Sequence, residues 1–592
     1  MAIFLTYPFV ALLFALYLSP STALAGPTQA PNLVLPSSAA SHRDAVKDIF
    51  VRSYNAYRKY AFGNDTVRPV SGGSANGRNG WGASIVDGLS TMAIMGLDDF
   101  LNEGLEFSSK IDFSESRTND TVSVFETTIR YLGGLLSAYE LGGGKNAFLV
   151  EKAKEVTDKM VFAWVQPLDL EWATLAKYTG NDTYRKLAED SVRAIAAIPP
   201  PLAGLPAQEI DPSTNQFVQA YVTWGPGSDS YFEYLIKYAR LTNTDDNFFA
   251  DAWLTAVDSS IHNLLRTSTA GNHLYLAVQD DGRIEGVGTH LDCFHAGNWI
   301  YGGRLLNNDT IVKYGMDLNE ACWNTYASTQ TGIGPEVFQY FTTNSSDFSN
   351  SNFTALTPSQ QAFYDAHGFN ITGFSYNLRP EVLESNFIAW RATGDTKYLD
   401  RAASAVDSFN KYLVAEQTGG FAALRNVNDP SQGLVDNTQS FWFAEVLKYL
   451  YLTFDDPNHI HMDEWVFNTE AHPFKAPPAK PVYGSGRFMF AQAPFVYSET
   501  SEAAPPETSG SHFRLFSPGG LGLNLEIDYI QVSWPNVNLS GRPHDKAEGK
   551  FEMLVQWASI REDSQLFQVL LDGDNIGYIE EPGHTVTNVE CY

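Results

Sequence analysis

Basic residues are scarce in this chain: lysine and arginine total 39 against 68 aspartates and glutamates, a formal charge of −29. That field repels phosphate backbones and anionic lipid, which disfavours nucleic-acid binding and membrane-surface roles and leaves a neutral partner such as a sugar unpenalised. Cysteine is scarcer still. Sequence proximity among Cys293, Cys322 and Cys591 favours one Cys293–Cys322 disulfide with Cys591 left over. Several chemical signatures are missing altogether: no His-Glu-x-x-His, no Cys or His pairs at zinc spacing, no Gly-x-Ser-x-Gly elbow and no P-loop. Gly72-Gly73-Ser74-Ala75-Asn76-Gly77 is a flexible loop rather than a phosphate cradle, because no Gly-Lys-Ser/Thr follows. Long apolar runs are absent beyond the first two dozen residues, so nothing later is expected to span a bilayer.

The run that does exist, Ile3 to Leu18, is followed by Ser19-Pro20-Ser21 and the small-x-small sequence Ala23-Leu24-Ala25. It reads as a signal peptide over residues 1–25, cut after about Ala25, although its short n-region lacks Lys or Arg. Eight Asn-x-Ser/Thr sequons, at Asn64, Asn119, Asn181, Asn308, Asn344, Asn352, Asn370 and Asn538, fit the same secretory route. The expected location is the lumen of the secretory pathway (ER or Golgi) or outside the cell, with no membrane attachment after signal cleavage.

Hydrophobic residues make up 44% and aromatic residues 13% of the 592 positions, enough for a large core. From Ser41 to about Phe454 the periodicity is helical; Val46, Ile49, Phe50, Tyr54, Tyr57 and Tyr60 form one stripe. An internal echo relates Leu175–Tyr184 to Ala389–Tyr398 and, more loosely, to Tyr238–Asp245. Each copy has a helix end, a Gly/Asn turn suited to a left-handed cap, and a new helix. The uneven spacing of these units favours a ring of helical hairpins over a regular solenoid. From about Lys475 the prolines multiply, Ser498–Ser511 is a polar linker, and short alternating runs such as Leu525–Val532 and Phe567–Leu571 read as strands. The expected organisation is a helical domain over 41–480 and a linker plus β-rich appendage of unknown role over 481–592.

Four helical segments carry carboxylates among aromatic residues: Ser123–Arg130, Ser228–Tyr234, Arg379–Ser385 and Gln439–Glu445. Three- and four-residue spacings put Glu126 with Arg130, Asp229 with Glu233, and Glu381 with Glu384 on common faces. Charges in such surroundings are costly unless paired, metal-bound or functional. Any one segment alone is explained by a structural salt bridge, but Arg130 and Arg379 cannot neutralise six acids. Hard oxygen ligands suit Ca²⁺, and paired carboxylates around a sugar-sized gap suit glycoside hydrolysis. His290, beside Cys293, reads equally as a structural histidine.

At this point the sequence resembles the class I α-mannosidases, glycoside hydrolase family 47. The resemblance is carried by Ser53–Ala61, Ile85–Leu97, Ser123–Glu126 running on to Leu132–Ala138, Asp229–Leu235, Leu378–Ser385 and Phe467–Phe474, in the family's order. It implies an all-α (α/α)7 toroid barrel with Ca²⁺ at the base of its pocket, and the Cys293–Cys322 pair matches the family disulfide. Thr469 matches the direct protein ligand of the ion; Glu384, Glu445 and Glu470 would hold its waters. Glu233 stands with the substrate-binding positions. Phe441 would stack on the sugar ring, and Arg130, His290 and Arg379 match sugar-binding or orienting positions. Inversion needs an acid and a base whose carboxyls are usually roughly 6.5–9.5 Å apart; the pattern assigns Glu126 as acid, Glu381 as base and Asp229 as rival acid. The implied partner is a high-mannose N-glycan and the implied state a monomer.

Three positions depart from the family pattern. Ser90 stands where Asp is usual and Gln439 where Glu is frequent. Gly227 stands where members that remove one particular mannose carry Arg, which implies broad trimming of several α-1,2 branches. Two rival readings remain: a glycan-binding relative without hydrolysis, and a hydrolase of another sugar on a similar toroid.

Overall fold

In a computed structural model of the chain, the described residues are 24–161, 168–211, 214–352 and 356–489, together with five strands beyond residue 514. The chain divides into Leu24–Ala491 and a second unit of Met1–Ala23 with Gln492–Tyr592. In the second unit, strands Leu515–Phe516, Ile530–Trp534, Phe551–Val555, Leu566–Leu571 and Asp574–Glu580 pair antiparallel in two small sheets. The proposed signal segment up to residue 23, the polar linker 498–511 and Asn538 lie outside the described residues.

The first unit is built on helices that alternate between an outer and an inner layer. The outer set is α1 (Ala39–Tyr60), α3 (Asp98–Ser109), α5 (Phe148–Met160), α7 (Thr183–Ala197), α9 (Phe248–Asn263), α11 (Asp309–Ala327) and α13 (Lys397–Tyr412). The inner set begins with α2 (Ala83–Met95) and α4, which runs through Val124–Glu126, a π-helical turn Thr127–Leu132 and Gly133–Leu141. It continues with α6 (Asp169–Thr179), α8 (Asp229–Thr242), α10 (Phe294–Leu305) and α12 (Glu381–Thr393). It ends with α14, a π-helical turn Trp442–Val446 followed by Leu447–Phe454. Inner helices neighbour one another in chain order, α14 returns to α2, and α1 packs on α14. The expected toroid of helical hairpins is the architecture found.

Burial follows from the layering. On inner α2 every residue but Ala93 is buried, and on α12 every residue but Thr393. On outer α7 the buried residues are Tyr184, Ala188, Val192 and Ile195, one stripe at helical spacing. The α1 stripe is buried at Val46, Ile49, Phe50, Tyr54 and Tyr57. Outer α9 departs from this, because residues past 480 stay on the helical unit and cover it: Asp251 accepts from Ser485 N at 2.7 Å, and Met489 N donates to Thr255 Oγ1 at 2.9 Å. The internal echo marks inner-to-outer turns. Gly180, Asn243 and Gly394 cap α6, α8 and α12 at φ +68°, +49° and +74°, the left-handed conformation that Gly and Asn tolerate.

One hairpin enters the ring. Strands Trp465–Phe467 and Pro473–Lys475 pair antiparallel, and their connecting turn 468–472 is almost wholly buried, with Asn468 and His472 at 0% exposure. Two glycines of α4 allow the approach. A Cβ on Gly133 would stand 2.7 Å from Asn468 Nδ2, and one on Gly134 would stand 2.7 Å from the Val86 carbonyl oxygen of α2. Among the described residues no helix is long and apolar enough to cross a membrane.

The sequons divide by exposure. Asn119, Asn181 and Asn344 are exposed, Asn64 and Asn308 are half-buried, and nothing is described for the side chain of Asn352. The expectation at Asn370 is corrected: it is 4% exposed, inside a strand Asn370–Gly373 paired with Val337–Gln339, which leaves no room for a glycan in the folded chain. Gly134→Ala forces α4 away from a backbone atom of α2 and is expected to lower stability by about 1–3 kcal/mol. Thermal unfolding checks this; an unchanged midpoint would show that the α2–α4 contact has slack.

Candidate active site

A cavity of about 610 Å³ opens onto the ring and is lined by Glu126, Arg130, Asp229, Glu233, Arg379, Glu381, Glu384, Phe441, Glu445, Thr469 and Glu470, among others. The residues singled out in the sequence thus meet in one place, from four helices and the hairpin turn. His290 does not line the cavity but touches a residue that does: its Nδ1 lies 2.7 Å from Glu381 Oε2, and its Nε2 lies 2.7 Å from the Tyr326 hydroxyl.

Local structure explains the convergence. Asp229 and Glu381 are the first residues of α8 and α12, and Glu126 lies in the first turn of α4, where the helix dipole favours anions. Glu233 and Glu384 follow by four and three residues, about one turn, along the same helices. Arg130 and Glu445 sit in the two π-helical turns, a distortion that recurs at functional sites because it redirects side chains. Two non-glycine residues hold left-handed backbone beside the cavity, Leu378 at φ +62° and Ala471 at φ +56°, each a strained conformation that its surroundings must hold. Tyr376 donates to the Arg379 carbonyl at 3.0 Å, and Glu336 accepts from Asn377 N at 2.8 Å and Arg379 Nε at 2.6 Å. Lys448 donates to the Ala471 carbonyl at 2.6 Å. The Cys293–Cys322 disulfide joins the segment that carries His290 to α11, which carries Tyr326.

Arg130 and Arg379, the basic partners legible in the sequence, are not the only counter-charges to the acids: Lys237 pairs with Glu233, Arg78 with Glu126 at 3.0 Å, and Lys448 is fully buried. Lys237 follows Glu233 by four residues, a spacing visible in the sequence; Arg78 and Lys448 come from elements whose proximity no local pattern reveals. Arg379 is itself taken by Glu336. Arg130 is the busiest cation, bonded to Glu126 Oε2 at 2.7 Å, to Asp87 at 3.4 Å and to Glu470. Its guanidinium and that of Arg379 each lie 5.7 Å from the Phe441 ring centre, within cation–π range.

These partners pull the carboxyls apart. Burial raises the Glu381 carboxyl, but the His290 hydrogen bond and the Arg379 charge outweigh it and hold the group below the usual range. Burial also raises Glu126, and Arg130 with Arg78 reverses it to a net lowering. Asp229 goes the other way, pushed up to about 7 by burial and by the nearby Glu233, Glu381 and Asp292, against the opposing hydrogen bond from the Ser230 N–H. Glu384, Glu445 and Glu470 are all raised by burial, Glu445 further by Glu470 and Glu381. Thr469 Oγ1 lies among them with the Ser230 hydroxyl 3.1 Å away. This oxygen-rich, cation-poor floor has the donor chemistry of a hard divalent ion. Among the described residues no three Asp, Glu, His or Cys side chains form a direct ligand cluster; Thr469, the residue that the resemblance to the family marks as a donor, lines the cavity beside these acids.

Known proteins share this organisation. The family described as "Glycosyl hydrolase family 47" matches residues 49–168 and 163–476. A probable mannosyl-oligosaccharide alpha-1,2-mannosidase 1B of Aspergillus clavatus is 37% identical over 520 residues, covering 77% of this chain and 99% of its own. A mannosyl-oligosaccharide alpha-1,2-mannosidase of Coccidioides posadasii is 37% identical over 506 residues, covering 74% and 93%. The solved structure of an alpha-1,2-mannosidase from Trichoderma reesei superposes with a TM-score of 0.70 at 32% identity, covering 74% of this chain and 99% of that one.

Replacing Arg130 by Met leaves Asp87 and Glu470 without their shared cation and Glu126 with Arg78 alone. Loss of one partner of a buried ion pair costs about 3–5 kcal/mol. The loss is expected to be largest at neutral pH and to shrink as pH falls, because protonation discharges the stranded carboxylates. Unfolding of both proteins at pH 7 and pH 4.5 checks this; equal losses at the two pH values would contradict the charge account.

Proposed function

The chain belongs to glycosyl hydrolase family 47, and from that premise we propose that it hydrolyses terminal α-1,2-linked mannose of high-mannose N-glycans with inversion at the anomeric carbon. The names of the relatives support the linkage. The observation that carries the chemistry is a pair of carboxyls in one cavity pushed in opposite directions, Glu381 down and Asp229 up to about 7, a separation that supports reading them as base and acid.

In this reading Glu381, held ionised and oriented by His290, takes a proton from water as the water oxygen bonds to the anomeric carbon. The bond to the leaving oxygen breaks, and that oxygen takes a proton from the acid. The family pattern puts Glu126 first for the acid. Its two guanidinium partners keep it ionised, however, and Asp229 at about 7 is the better proton donor. Glu126 then acts with Arg130 in binding the sugar, alongside Arg379, and Phe441 stacks on the ring's apolar face.

Thr469 would hold a calcium ion, with Glu384, Glu445 and Glu470 holding its waters, and the bound ion would supply positive charge toward sugar hydroxyls and relieve the repulsion among those acids. The lack of a side chain at Gly227, where members that remove one particular mannose carry Arg, supports acceptance of several branches, although the Gln208 side chain fills the space beside it: an ideal Cβ on Gly227 would stand 2.1 Å from Gln208 Nε2. The exposed sequons and the disulfide support an oxidising, secretory setting.

Glu381→Gln is expected to lower mannose release by about 10²–10⁴-fold while glycan binding persists. Near-normal turnover would remove Glu381 from the base role. NMR of the first product should show β-mannose; α-mannose would mean retention. The wild-type rate should fall as pH drops below the range in which Glu381 is ionised, and fall again as pH rises through about 7, where Asp229 loses its proton. Glu126→Gln should leave the alkaline limb in place. Its disappearance would return the acid role to Glu126.

A further inference from the structure

The hairpin turn that presents Thr469 and Glu470 is tied to the helices around it. Thr469 N donates to the Tyr234 hydroxyl at 3.1 Å, and that hydroxyl donates to Glu171 Oε1 at 2.7 Å. Asn468 Nδ2 donates to the same Glu171 oxygen at 2.6 Å. Asn468 Oδ1 in turn accepts from Glu470 N at 3.0 Å and His472 N at 2.7 Å. Both routes from the turn therefore end on one atom, Glu171 Oε1. Glu171 lies in the first turn of α6, is 0% exposed, and does not line the cavity. Its other oxygen, Oε2, has no hydrogen-bond partner.

A buried carboxylate with one free oxygen and no cation is an expensive way to fill a core. Mere packing on α6 would be met by an apolar side chain. What an apolar side chain cannot do is accept two hydrogen bonds that fix the Tyr234 hydroxyl and the Asn468 amide together. Those two groups set the position of the Thr469 backbone and the direction of the Glu470 and His472 N–H groups.

We propose that Glu171 is a positioning residue for the cation seat: by accepting from Tyr234 and Asn468 it fixes Thr469, and through it the affinity for Ca²⁺. The inference rests on the proposal that Thr469 is a calcium donor and adds to it the residue that holds the donor in place.

The test is calorimetric titration of the chelator-stripped full chain with Ca²⁺, beside thermal unfolding of the same samples. Glu171→Ala should weaken calcium binding tenfold or more. Glu171→Gln should rescue it to within about threefold, since its carbonyl replaces Oε1 and its amide falls where Oε2 has no partner. A folded Glu171→Ala protein with wild-type affinity would overturn the inference, as would Gln and Ala variants equally weakened. If Glu171→Ala does not fold, Tyr234→Phe cuts one strut alone; it should weaken binding at least threefold, and unchanged affinity would overturn the inference. Absence of calcium binding in the wild type would overturn the calcium reading itself and this inference with it, a result distinct from binding that Glu171 does not affect.

Discussion

The turn Asn468–His472 is the constraint on which the site depends. It lies inside the ring, and each of its residues is tied to a different part of the wall. Asn468 bonds to α4 and α6, Thr469 to α8, Glu470 to Arg130 of α4, and His472 to Ser90 of α2. Lys448 of α14 holds the strained Ala471 through its carbonyl. One short turn thus couples five of the seven inner helices. The close approach at Gly133 and Gly134 brings α4 within reach of it.

Charge is the second constraint. The acids at the bottom of the cavity outnumber the cations available to them, and burial raises Glu384, Glu445 and Glu470 together. Such an arrangement costs folding free energy, and a protein that carries it gains function from what relieves the repulsion. Higher in the cavity the same burial is answered residue by residue. His290 and Arg379 hold Glu381 ionised, two arginines hold Glu126 ionised, and Asp229 has no counter-charge. The disulfide contributes indirectly by tying together the segments that carry His290 and its partner Tyr326.

Much of this was legible in the sequence, for identifiable reasons. Helical stripes such as Val46 to Tyr57 and left-handed caps at Gly180 and Gly394 are local features, so hairpins of helices could be read directly. The acids of the cavity stand in short segments whose family pattern is specific. What stayed hidden depends on distant elements meeting. Arg78, Glu336 and Lys448 have no local signature that assigns them to the site. Glu171 is one acid in a helix buried on every side until Tyr234 and Asn468 are placed beside it. Asn370 satisfies the sequon rule, yet its strand pairing buries it. Ser90, a departure from the usual Asp, lies 3.0 Å from His472 Nδ1, while His472 itself is lowered to about 4 by burial; a hydroxyl suffices beside a neutral imidazole.

The most direct measurement is mannose release from a nine-mannose N-glycan by the purified protein, with EDTA and after calcium is restored. Release that proceeds to five mannoses, stops in EDTA and returns with Ca²⁺ is the predicted result. A folded protein that binds the glycan and releases no mannose under any of these conditions would contradict it.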